Sequence, residues 1–140
     1  MLVSDVKDLV KSLNIDGIKK YYCGVSDNKQ EYSLGFYKED SGRKEVDFQG
    51  NKLSITSKQI QILISWNKIY DETEKAAYQI YKKLEELSEK IIEDKGIIFN
   101  DNKILSLEMI DSEPLDYKKD PVTNSGIFQQ GIRIRLICVE

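Results

Sequence analysis

Three observations predict an α+β fold built on a mainly antiparallel sheet. Apolar residues alternate at period two along two runs, 54–67 and 127–139. Apolar residues also recur at three- and four-residue intervals along two others, 2–13 and 77–91. The strand-like runs also come in succession, with helices only before and among them, which predicts an α+β domain with a mainly antiparallel sheet. The expected order is α-β-β-β-α-β-β, a single domain over residues 1–140 with two helices packed on the sheet. A chain of 140 residues buries roughly 68% of the surface its unfolded form exposes, enough for one core.

The first helix rests on Leu2, Val6, Leu9, Val10 and Leu13, with Asp5, Lys7, Asp8 and Lys11 opposite. Residues 14–17 stop it, and Gly17 is free to adopt a left-handed conformation. Two aromatic-rich runs follow, 18–25 and 31–38, around the turn-forming Ser26, Asp27 and Asn28. They predict an antiparallel hairpin with Tyr32, Leu34 and Phe36 on one face. Residues 39–52 hold Val46 and Phe48 as isolated apolar points and predict a long excursion of the sheet, a hairpin arm leaving the body.

The central strand places Ile60, Ile62, Ile64 and Trp66 on one face and Gln59, Gln61, Leu63 and Ser65 on the other, the pattern of an interior strand. Asp71, with Glu74 three residues later, predicts a capping box. Ala77, Ile80, Leu84, Leu87 and Ile91 then form the apolar stripe of a helix lying on the sheet. Residues 97–99 and 104–110 read as strands around a turn at 100–103. The polar stretch 112–125 holds both prolines, Pro114 and Pro121, and reads as a loop. In the last strand Ile132, Ile134, Leu136 and Cys138 face the core while Arg133 and Arg135 point outward.

Composition narrows the chemistry. The chain is 40% hydrophobic and 32% charged, with net charge −3, which argues against binding held mainly by nucleic-acid phosphates. It has no histidine, so the commonest general base and metal ligand is missing, together with every Ser-His or Cys-His nucleophile pair. Asp71, Glu72 and Glu74 suit a helix N-terminus electrostatically. Asp111, Glu113 and Asp116, with Lys118, are the only set that suggests a metal-dependent nuclease, and no phosphate loop accompanies them. Lys19 and Lys20 beside Tyr21 and Tyr22 imitate a stacking surface but read better as an amphipathic strand. Cys23 and Cys138 read as buried free thiols, not as a disulfide or a zinc site. The N-terminus lacks a secretory signal and no apolar run spans a membrane, which predicts a protein made and kept in the cytoplasm. No cofactor is expected.

Four segments and the closing strand carry a family resemblance. They are EYSLGFY at 31–37, KQIQILISW at 58–66, DETEKAAYQIYKKLEEL at 71–87, SEPLDY at 112–117, and the strand from 126 to 139. With this succession of strand, helix, Pro-containing loop and terminal strand, the chain resembles the phage minor capsid and tail terminator family, the tail completion or head–tail joining proteins. The resemblance covers about three quarters of the chain. It implies a ring, generally hexameric, that caps the completed tail tube, stops its polymerisation and meets the head connector. Headless phage-tail-like bacteriocins use similar caps.

The resemblance thus implies a structural, non-enzymatic protein of a phage or phage-tail-like bacteriocin. Its partners are copies of itself, the tail tube protein, and the head–tail connector or sheath protein. DNA is only cargo passing through the ring, and no membrane is involved. Such a protein is expected in the bacterial host cytoplasm during assembly and then in the virion or tail particle. A closed ring needs two different patches per subunit. The candidates are the 39–52 arm, with Val46 and Phe48 as apolar anchors rimmed by Arg43 and Lys44, and the outward pair Arg133 and Arg135. The readings weighed against this one are a small metal-dependent phage nuclease and a generic intracellular α+β adaptor.

Overall fold

The computed structural model describes residues 1–24, 31–39, 43–46, 52–119 and 126–139. In chain order these form α1 (Val3–Lys11), β1 (Lys20–Cys23), β2 (Ser33–Lys38), β3 (Arg43–Val46), β4 (Lys52–Ser65), α2 (Tyr70–Glu93), β5 (Ile97–Phe99), β6 (Asn102–Ser112), β7 (Asp116–Lys119) and β8 (Gly126–Val139). The class is α+β, as expected, with two helices and a mostly antiparallel sheet. The sheet runs β1-β2-β4-β8-β6-β5, with β3 added to β4 and β7 added to β8.

The structure has eight described strands where the expected order α-β-β-β-α-β-β has five: the short run 97–99 is a strand of its own, and two further strands, β3 and β7, lack an apolar alternation. β3 lies inside the 39–52 excursion and pairs antiparallel with β4, its register shifting between Lys44 and Val46. β7 lies inside the expected proline loop, and all four of its residues are exposed. It is held by its ladder to β8, from Asp116 opposite Gln129 to Lys119 opposite Gly126. Backbone pairing and the contact of Tyr117 with Phe128 hold this strand, and with no buried residue it carries no hydrophobic period in the sequence.

The expected hairpin between the first two strands is also corrected. β1 and β2 pair in parallel, Lys20 opposite Ser33 and Cys23 opposite Phe36. Tyr32, with φ of 59°, turns the chain into β2. Its carbonyl accepts the Lys19 amide at 2.7 Å, bringing the starts of both strands to the same end of the sheet.

The core lies between the sheet and the two helices. β4 and β8, each of 14 residues, are its spine. Ile60, Ile62 and Ile64 of β4 and Ile132, Ile134 and Leu136 of β8 are buried, facing Val6, Leu9 and Val10 of α1 and Ile80, Leu84 and Ile91 of α2. This is the face expected of both strands. Trp66 closes the end, edge-on to Tyr32 with ring centroids 5.1 Å apart.

α2 does not begin with an Asp71 capping box. Its N-cap is Ile69, which has no side chain able to cap. Asn67, just past β4, takes over: its Oδ1 accepts the Ile69 amide at 2.9 Å, and its Nδ2 donates to Glu72. The tight exit from β4 puts the polar cap before the helix, while Asp71 and Glu72 fall in the first turn, where the helix dipole favours acids. α1 ends at Ser12, with Asn14 left-handed at φ 53°. Gly17 is left-handed too, at φ 85°. The β5–β6 turn is shorter than the expected 100–103: Asn100 and Asp101, both at positive φ, form a two-residue turn matching the twist of its strands. Cys138 is buried but Cys23 is exposed, a correction to the reading of both as core thiols. Cys23 sits at the end of the edge strand β1, where little covers it.

Candidate interaction surface

The helices cover one face of the sheet, and the other face carries rows of paired polar side chains. Register builds these rows. β4 opposes β8 with Gln59 beside Arg135 and Gln61 beside Arg133. β8 in turn opposes β6 with Arg135 beside Glu108 and Arg133 beside Asp111. The two expected arginines therefore stand together, outward, as predicted. Arg133 donates to both oxygens of Asp111, Nε at 2.7 Å and Nη2 at 2.5 Å, and reaches Glu39 at 3.9 Å. Arg135 lies 3.6 Å from Glu108. Gln59 donates to Glu39 at 2.7 Å and Gln61 to Glu113 at 3.3 Å.

The fork of Arg133 on Asp111 is a bidentate, charge-assisted pair. It holds the Asp111 carboxyl below its ordinary value, chiefly through that hydrogen bond, and raises the Arg133 guanidinium. Exposed pairs of this kind contribute little stability; they fix the pattern of charge the face presents.

The acidic members of these rows were not evident from spacing. Glu108 and Asp111 are three apart and would point to opposite faces of a regular strand. A bulge between Met109 and Asp111 resets the register and turns both outward. Bulges leave no composition signal, so the arginines were legible and their partners were not.

Beside this face Tyr22 lies over Gly35, and its hydroxyl accepts a hydrogen bond from the Tyr37 hydroxyl at 3.3 Å. Burial pushes the Tyr22 phenol pKa well up. Lys19 stands 4.6 Å above the Tyr32 ring centroid, and Tyr21 packs against the core. These residues form an amphipathic strand and not a stacking platform.

Aromatic side chains gather near the start of α2. Tyr70 and Tyr117 each contact Phe128, with centroids 5.5 and 5.0 Å apart. Further along α2, Tyr78 and Tyr81 line a hollow of about 320 Å³ against Ser112, Gln130 and Ile132. Tyr78 is 62% exposed. Their spacing in the sequence suggests nothing, because β7, β8 and α2 bring them together only in the fold.

Of the other expected patch, Arg43, Lys44 and Val46 lie on β3, whose backbone pairs with the outer half of β4. Phe48 lies outside the described residues, as does Pro121. The acidic set suggestive of a nuclease is dispersed: Asp111 is held by Arg133, Asp116 is 2.9 Å from Lys118, and Glu113 faces Gln61. Among the described residues no group of three or more His, Cys, Asp or Glu is placed to hold a metal ion. No described helix is long and apolar enough to cross a membrane. No family model and no curated protein matches the chain.

Proposed function

We propose that this chain is a structural subunit of a phage or phage-tail-like bacteriocin particle. In this reading its copies form a ring that caps the tail tube, ends tube polymerisation and joins the tube to the head connector. The observation that carries the reading is the sheet face opposite the helices, which no described helix covers, ordered by cross-strand pairs of Arg133 and Arg135 with Asp111, Glu39 and Glu108. Its charges are committed to one another, which suits a surface that presents a fixed pattern to another protein. The resemblance of the segments at 31–37, 58–66, 71–87, 112–117 and 126–139 supplies the particle and the ring. The partners are further copies of the chain, the tail tube protein and a connector or sheath protein, with DNA as passing cargo. Assembly takes place in the bacterial host, and the protein then stays with the particle.

The dispersal of Asp111, Glu113 and Asp116 onto separate partners weighs for a contact role over a metal-dependent nuclease. The 39–52 excursion is the second contact patch in this proposal, with Arg43, Lys44, Val46 and Phe48 as its residues. Substituting both Val46→Asp and Phe48→Asp is expected to leave the circular dichroism spectrum native and to abolish complementation of particle assembly. An unfolded double variant would place these residues in the core and remove the patch. Tagged protein is expected to co-sediment with finished tails and to label one end of the tube; a protein that stays in the supernatant would favour the adaptor reading.

A further inference from the structure

The sheet is open, and its two long sides differ. β1 ends one side: among the described residues it pairs only with β2, and its other edge is unpaired. On the opposite side β5 pairs only the first three residues of β6, Asn102 to Ile104. From there to Ser112 the outer edge of β6 has no strand beside it among the described residues.

We propose that copies of this chain associate head to tail, β1 of one copy adding to the outer edge of β6 of the next. Strand direction allows it. β2 and β8 run opposite to β4, β6 runs opposite to β8, and β1 runs parallel to β2. β1 and β6 are therefore antiparallel when a second copy stands alongside in the same orientation. An antiparallel β1–β2 hairpin would have removed this match.

Length agrees as well. The regular part of β6 between its two bulges is residues 106–109, and β1 is four residues long. Faces agree next. Leu107 is buried on the helix side, so Glu108 points to the uncovered face. Tyr21 packs on the helix side, so Lys20 points to the uncovered face too. Setting Tyr21 opposite Leu107 brings Lys20 opposite Glu108.

Charge is complementary around this junction. Lys19 precedes β1 and Lys20 opens it, both exposed, while β6 presents Glu108, only loosely paired with Arg135 at 3.6 Å, and α2, which packs on β6, exposes Glu74 and Glu85. A β6–β6 contact about a two-fold axis would instead oppose acid to acid. The Leu107 carbonyl already accepts the Ser88 hydroxyl at 2.6 Å; its second lone pair remains for an incoming amide. The contact is heterologous, so it closes into a ring when the rotation per copy divides a full turn. It rests on the ring reading only for its use in a particle, because the contact itself is a property of the purified protein.

Sedimentation velocity over a concentration series tests it, with thermal melts to check that every variant is folded. The wild type is expected to self-associate. Lys20→Glu and Glu108→Lys should each weaken association about tenfold, since each sets like charges opposite one another. The double variant carrying both should regain most of the affinity. Hydrogen exchange should slow at Tyr21 and Leu107 in the assembled form. A wild type that stays monomeric at every concentration would overturn the contact. A Glu108→Lys effect without a Lys20→Glu effect or rescue would do the same, in favour of β6–β6 pairing. These outcomes are independent of particle assembly: a monomer leaves the tail role standing, and normal tails without the protein leave the contact standing.

Discussion

A Cβ built on Gly35 would lie 2.5 Å from the Tyr22 ring. The glycine lets an aromatic side chain of β1 lie on β2, adding to the ladder with β2 and the packing of Tyr21 that hold this four-residue edge strand. Gly35→Ala is expected to destabilise the fold by about 1–3 kcal/mol through this overlap, read as a shift of the urea midpoint. An unchanged midpoint would show that Tyr22 moves away freely. Asp111 governs a different property. Its carboxyl is held below the ordinary 3.8 by Arg133, so folding favours the charged form. That contribution is complete above the unfolded carboxyl's pKa and is lost as pH falls through the lower folded value. Asp111→Asn should therefore flatten the acid limb of the stability curve and leave its slope near neutrality unchanged. An acid limb identical to wild type would detach Asp111 from the linkage.

At the scale of elements, α2 and the β4–β8 pair carry the packing. Leu84 is fully buried among the residues between helix and sheet. Leu84→Ala should cost about 2–5 kcal/mol through lost burial and the cavity left behind, measured by denaturant unfolding; an unaltered melting temperature would place the stripe away from the sheet. Elements with an apolar period were legible in the sequence: α1, β2, β4, α2 and β8 appear with the expected faces, including the outward arginines. Elements without one were not. β3 and β7 are held by backbone pairing at the margins of β4 and β8, and Asp116–Lys119 has no buried residue to betray it. The parallel β1–β2 pairing was missed for a related reason, because alternation fixes a strand's faces and says nothing of its direction. The start of α2 shows local chemistry outweighing a motif, since Asn67 supplies the cap expected of Asp71 and Glu74.

For the whole molecule, the layout separates the face that holds the fold from the face that carries the charge pairs. One sheet face is buried under α1 and α2, the other displays charge pairs, and the two open sides differ in charge. Part of this surface was legible: Arg133 and Arg135 follow from strand alternation. Their acidic partners depend on a bulge, and the aromatic group of Tyr70, Tyr117 and Phe128 depends on tertiary packing. Such a subunit fits an assembly made by contact, the proposal advanced for it as the ring ending a phage tail tube. Electron microscopy of tail length in particles produced with this gene deleted tests that claim most directly. The account predicts overlong or ragged tubes that lack a cap. Tails of normal length and finish would contradict it.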